Sequence, residues 1–334
     1  MSTKKDMRTK VRPGDVILVG DDTWLAKIIC AIDGSEACHA AIGVGDGKMA
    51  EAGWKGLVYS PLENLRDREQ IWLRRLPGDL DMAPVVIKAK TFTDEGHGYA
   101  YHQLVLIAAI FFARKAVTGN WVVRKAADIA LDQAARLLNA LVSAGKQPMI
   151  CSEFVYRCYD EALPGEDQYD FKLQALKLFG FAATPAPPKV NAGSPADMLL
   201  HASPEVEKRM SFARVATAEA ETATPDEILE QARAELEPLI GQLDEATRQR
   251  ATVSPDVATE SGVSDEQLKQ HAERFARALV RSTHTDESVR SLRSLTGSDL
   301  LNQIVYKSAD FVTPADLLKT AALVDGELFT GAQA

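Results

Sequence analysis

Cys151 is the residue of this chain best placed for covalent chemistry. It follows Pro148, Met149 and Ile150 and opens CSEFVYRCYDEA, a stretch that reads as a helix. At a helix start, unpaired backbone N–H groups and the helix dipole favour a thiolate and can donate to an oxyanion. Phe154, Val155 and Cys158 beside it also fit buried packing. A thiolate needs a base, and six histidines compete for that role. His201, His271 and His284 lie in an acidic, helical part of the chain and read as surface residues. His97 sits in a Gly-His-Gly loop, and His102 begins an apolar helix. His39 differs, because it begins one strand of a tight hairpin turning at Gly45-Asp-Gly47 and can be held rigidly.

A base needs an orienting group. Glu51 lies on the returning strand, twelve residues after His39. Here the turn decides. A two-residue turn at Asp46-Gly47 would oppose Ile42 to Glu51 and leave Glu51 on the face opposite His39. A three-residue loop over 46–48 would pair Gly43 with Glu51 and put both side chains on one face. A Cys-His-Glu constellation therefore requires the longer or a bulged turn. Cys38 adjoins His39 but points to the other face of a strand, which makes it a core residue. Asp15 and Glu153 read as a turn residue and a helix N-terminal charge. The Gly-Asp-Gly turn lacks the Gly-Lys-Ser/Thr ending and following helix of a phosphate loop.

These residues resemble a known family. The run His39-Ala-Ala-Ile-x-Val-Gly-Asp-Gly-Lys-x-x-Glu51 is preceded by Gly14-Asp15-Val-Ile-Leu and followed by Cys151-Ser-Glu-Phe-Val155. Together they resemble the circularly permuted NlpC-type papain-like hydrolases. The YiiX/YaeF-like group is the nearest branch, and the lecithin:retinol acyltransferase-like enzymes are relatives. The resemblance covers residues 11–182. It implies Cys151 as nucleophile, His39 as base and Glu51 as the residue that orients the base, with no metal or organic cofactor. The helical C-terminal region departs from the compact family pattern. Ser194-Pro-Ala-Asp197 resembles a segment that closes such domains, and Thr313-Pro-Ala-Asp316 resembles it again, which reads the helices between them as an insertion.

Composition fits this division. The 334 residues are 46% hydrophobic and 25% charged, which excludes wholesale disorder and fibrous repeats. The net charge of −9 lacks the basic surplus of a nucleic-acid binder, so no nucleic-acid partner is expected. Residues 1–182 hold 23 Lys and Arg against 23 Asp and Glu, so the whole negative charge falls in the remainder. Four cysteines at these spacings match neither a disulfide scaffold nor a zinc site. The N-terminus runs from basic residues straight into Val16–Val19 without an apolar leader. That predicts a cytoplasmic protein, exported only by a route without a classical leader. The longest apolar run, Leu104 to Ala113, is about half the ~20 residues that cross a bilayer, so no transmembrane segment is expected.

The elements follow from pattern. Val16–Val19, the His39–Glu51 hairpin and Val85–Ala89 read as strands. Tyr101–Lys115 and Ala126–Ala144 read as helices. Ser194, Thr224 and Thr313 each precede Pro and then a carboxylate at the third helical position, and Ser264 opens a capping box. Ser203 and Ser254 head weaker versions. The expected fold is α+β: a permuted papain-like, NlpC-like domain over 1–182 with a small antiparallel, partly barrel-like sheet and the Cys151 helix. A Pro/Gly-rich linker and closing segment at 183–202 follows, then a helical insertion at 203–310. A C-terminal helix in 311–334 is expected to pack back on the catalytic domain.

The implied activity is thiol-dependent acyl chemistry. Its first form is an amidase or peptidase on peptide-like substrates such as cell-wall peptides. Its alternative is a lipid-directed phospholipase, thioesterase or acyltransferase using an apolar groove near Leu104–Ala113. A third reading, from another class, is an interaction protein with a relic site, meeting a protein partner through its acidic helical region.

Overall fold

The computed structural model describes residues 7–53, 56–66, 68, 70–95, 102–115, 117–144, 149–163, 167–169, 192–200, 223–248, 257–282 and 312–330. Helices of six residues or more are α1 (Trp24–Asp33), α2 (Ala83–Asp94), α3 (His102–Arg114), α4 (Trp121–Ser143), α5 (Cys151–Asp160), α6 (Pro195–Leu200), α7 (Pro225–Leu236), α8 (Ile240–Arg248), α9 (Asp265–Ser282) and α10 (Pro314–Lys319). The strands are β1 (Val16–Gly20), β2 (His39–Gly45), β3 (Lys48–Gly53), β4 (Gly56–Pro61), β5 (Gln70–Arg75) and β6 (Val324–Thr330). The chain divides into two compact units. One takes Met1–Gln103, Pro148–Lys177 and Ala309–Ala334, and the other takes Leu104–Gln147 and Leu178–Ser308.

The first unit is built on one antiparallel sheet in the order β4-β3-β2-β1-β5-β6. β1 lies between β2 and β5 with both its edges paired, and all five of its residues are buried, which fits its unbroken apolar run. Ile17, Val19, Ala41, Met49, Ile71 and Leu73 join Leu62 and Leu65 in a core cluster. The segment before β1 crosses β2 at Gly43, where a Cβ would lie 2.6 Å from the Arg12 carbonyl oxygen. Only glycine fits that crossing. Asp15 accepts from the Arg12 N–H at 2.8 Å and pairs with Arg75 at 2.6 Å, so this turn residue also ties β1 to β5.

Two expected elements differ here. Val85–Ala89 is not a strand but the start of α2. Pro84 sits in its first turn, and Val85, Ala89 and Phe92 are buried at the i, i+4, i+7 spacing of a helix. Packing overrides the β-branched pair Val85-Val86. Residues 311–334 are not one C-terminal helix. Thr313 caps the short α10, and the chain then turns into β6, which pairs with β5 as an edge strand. Arg74, buried on β5, donates to the carbonyls of Thr320 and Leu323 and pairs with Asp325, fastening that strand.

The second unit is helical. α4 buries a seam of small residues, Ala126, Ala127, Ala130, Ala134 and Ala135, along which α7 and α9 pack closely. Its division departs from the expected domain over 1–182, because the Ala-rich helix has its partners among the later helices. Arg124, almost fully buried, donates to the Val263 carbonyl at 2.9 Å and pairs with Asp265. Asp128 accepts from His271 Nδ1 at 2.8 Å and from Gln267 at 2.9 Å, while Arg274 reaches Asp132 at 2.6 Å. His271 is therefore a helix–helix clamp and not the free surface residue expected. Thr224 and Ser264 accept from the backbone N–H three residues on, as their patterns predict. Residues 183–191 and 201–202 of the expected linker and closing segment at 183–202, the helix starts at Ser203 and Ser254, and His97, His201 and His284 lie outside the described residues. No helix among the described residues is long and apolar enough to cross a membrane.

Candidate active site

The β2–β3 hairpin makes a two-residue turn at Asp46-Gly47, with φ of 52° and 68°. Positive φ at both central residues is the turn whose twist matches flanking strands. Such a turn alone would leave Glu51 on the wrong face. A bulge corrects it. Gly45 pairs with Lys48 but Gly43 with Met49, so Val44 is the extra residue and the register beyond it shifts by one. Ala41 then faces Glu51, and residues of equal parity, His39 and Glu51 among them, share one face of the sheet. His39 itself pairs with Val19 of β1, in the interior of the sheet. That placement holds its backbone against β1.

His39 Nε2 donates to Glu51 Oε2 at 2.9 Å, and the two side chains are only 15% and 17% exposed. The His39 ring also shares a hydrogen bond with the Cys151 thiol. Burial by itself would lower the His39 pKa. The hydrogen bonds to Cys151 and Glu51, with their charges, outweigh it and push His39 up to about 10. Burial likewise would raise Glu51, but the bond and charge of His39, a hydrogen bond from Ser60 and the Arg68 charge bring it down to about 2. The pair is thus held charged across the neutral range.

Cys151 opens α5 and is fully buried. Three contacts fix this helix start. Glu153 Oε2 accepts from the Ile150 N–H at 3.0 Å, Ser152 Oγ donates to the Val312 carbonyl at 2.6 Å, and the Phe154 N–H closes onto the Ile150 carbonyl at 2.8 Å. Further along, Phe154 packs edge-on against Phe92 at 6.4 Å, and Tyr159 donates to the Gly14 carbonyl. Glu153 is accordingly a helix cap. The structure thus brings Cys151, His39 and Glu51 together.

The other thiols stand apart from this arrangement. Cys38 is fully buried and bonds both the Val19 carbonyl, at 3.3 Å, and Cys30. That shared bond lowers the pKa of Cys30 and raises that of Cys38, with burial adding to the rise. Burial pushes Cys158 well above its ordinary value. Among the described residues, no group of three or more His, Cys, Asp or Glu is arranged to hold a metal ion. Ser60 and Arg68 beside Glu51 carry no motif in the sequence. Only the β3–β4 register, with Ser60 opposite Met49, brings Ser60 to the Glu51 face. Arg68 is in turn paired with Asp21.

Compared with known proteins, the chain matches no family model, no curated protein and no solved structure.

Proposed function

We propose that the chain is a cysteine hydrolase of the permuted papain-like kind, cleaving amides of peptide-like substrates. The observation that carries this reading is the row Cys151–His39–Glu51, in which one imidazole is hydrogen-bonded to a thiol on one side and a carboxylate on the other. With Nε2 on Glu51, Nδ1 is the ring nitrogen left to take the thiol proton. The Cys151 thiolate attacks the substrate carbonyl carbon and the C–O π pair moves to oxygen. Backbone N–H groups of the first turn of α5, which a helix cannot satisfy internally, stabilise that oxyanion. The tetrahedral adduct collapses, the C–N bond breaks, and the His39 imidazolium hands its proton to the departing amine. Water then gives a proton to His39 and attacks the thioester, releasing the acid and restoring the thiol.

An amide uses both roles of His39, because an amine leaves only when protonated and the imidazolium formed by taking the thiol proton can supply that proton. The lipid-directed alternative shares every chemical step and differs only in what fills the site. Mass spectrometry of the protein with panels of muropeptides and of phospholipids separates the two. The expected result is a transient acyl adduct on Cys151 from peptides alone. An adduct from phospholipids alone would reassign the substrate, and no adduct with either, together with an unreactive Cys151, would overturn the hydrolase reading.

A further inference from the structure

We infer that Ser60 is a positioning residue of the site, its hydroxyl fixing the plane of the Glu51 carboxylate so that Oε2 stays aimed at His39. The inference rests on the cysteine-hydrolase reading and names a residue which that reading does not use. The register supports it first. Ser60 stands opposite Met49 and Val58 opposite Glu51, so Ser60 and Glu51 are diagonal neighbours on one sheet face, within reach of a short side chain. The contact supports it second. Ser60 hydrogen-bonds Glu51, and a carboxylate only accepts, so the hydroxyl donates.

Chemistry supplies the reason for such a group. One bond, from His39 Nε2 to Oε2, leaves a carboxylate free to turn about its last torsion, which is broad and shallow. A second donor on a neighbouring strand removes that freedom. Burial makes the donor costly to misplace, since Ser60 is 8% exposed and a buried hydroxyl without a partner is destabilising. Serine is also a poor filler for a strand beside Leu57 and Val58, where an apolar side chain would pack better. Its hydroxyl is put to use on Glu51. Arg68, held by Asp21, adds positive charge near the same carboxylate without being fixed in the sheet.

The experiment follows the His39 imidazole by NMR in histidine-labelled full-length protein, with His39→Asn assigning the signal. It needs no substrate. Ser60→Ala is expected to lower the His39 titration midpoint by roughly one unit, the scale of one hydrogen bond to a charged group. Ser60→Thr, which keeps the hydroxyl, is expected to restore most of it. Ser60→Cys, close to serine in size but a weak donor, serves if the alanine variant does not fold and should also lower the midpoint. An unchanged or raised midpoint in a folded Ser60→Ala or Ser60→Cys variant, even with a reduced melting temperature, overturns the inference and leaves Ser60 as a satisfied buried group. Iodoacetamide labelling of Cys151 in a Cys30→Ser background tests the underlying reading separately. If Cys151 proves inert while Ser60→Ala still moves His39, the hydrolase reading fails and the positioning of Glu51 stands.

Discussion

Ala41 stands opposite Glu51 across the β2–β3 hairpin. With a two-residue turn, this pairing requires Val44 to be squeezed out of the ladder two positions before the turn. Because Val44 is the residue that two strands share unequally, its deletion should leave Ala41 opposite Glu51. The His39 midpoint should stay high in that variant, while the melting temperature falls from the loss of a buried valine, worth ~1.5–3 kcal/mol. A midpoint back in the ordinary histidine range would show that the bulge itself holds the pair.

Removing the Cys151 thiol should separate chemistry from folding. Cys151→Ala should abolish turnover on any substrate the wild type cleaves and change the circular dichroism spectrum little. Cys38→Ala and Cys158→Ala should keep most activity, since both thiols are raised in pKa and the thiol bonded to His39 is that of Cys151. Cys30 is the competing label, because its pKa is lowered and it is partly exposed. Labelling is therefore read in a Cys30→Ser background, where Cys151 should dominate at neutral pH. Wild-type turnover from Cys151→Ala would remove Cys151 from the mechanism.

His39→Ala should cost ~10²–10⁴-fold in turnover. Glu51→Gln should cost less, because glutamine can still accept from the imidazole. The pH dependence of stability has a definite sign. His39 is raised from 6.5 to about 10, so its contribution is complete below 6.5 and is lost as pH rises through about 10. Glu51 is lowered from 4.5 to about 2, so its contribution is complete above 4.5 and is lost as pH falls through about 2. Melting temperatures of the wild type and Glu51→Gln should differ most between pH 4.5 and 6.5, converge as pH falls through about 2, and narrow as pH rises through about 10. A constant difference across pH would mean that the carboxylate contributes only by packing.

In the helical unit the same logic applies to His271. Burial would lower its pKa, but the hydrogen bond to Asp128 and the charges of Asp128 and Asp132 raise it. Its contribution is therefore complete below the ordinary histidine value of 6.5 and fades as pH rises above it. His271→Ala should lower the melting temperature more at pH 6 than at pH 9. Hydrogen exchange should place the loss in α4 and α9, and an effect equal at both pH values would sink the clamp.

Ending the chain before Val312 should destabilise the sheet unit. It removes β6, bares the hydrogen-bonding edge of β5 and leaves buried Arg74 without its carbonyl partners. Light scattering should report aggregation. An Arg74→Met variant of the full chain should melt lower yet scatter no more light than the wild type, which separates loss of the anchor from loss of the edge cover.

How much of this was legible depended on how local the cause is. The hairpin, the helix opened by Cys151, and the caps at Thr224, Ser264 and Thr313 rest on residues within a few positions of each other, so pattern reading reaches them. His39 and Glu51 could be named as a pair, but the face they share hangs on Val44, which carries no bulge signal of its own. Val85-Val86 looks like strand until Phe92 and Phe154 are known to pack, and that contact spans two elements. β6 is a strand because β5 lies beside it, and its Val-Asp-Gly-Glu start is poor strand sequence. His271 escaped for the same reason, since Asp128 lies 143 positions away.

The tether from Ser152 to Val312 also fixes an order of events during synthesis. Its two ends are 160 positions apart, and Leu178–Ser308 of the second unit come between them. At ribosomal speeds of ~5–20 residues per second, that gap takes roughly 8–30 s to translate. For that interval the nascent chain already carries Cys151 and His39, while the strand that covers β5 and the carbonyl that receives Ser152 do not yet exist. The sheet unit is completed only after the intervening helical residues have been made, so its assembly is timed by the ribosome as much as by its own folding rate.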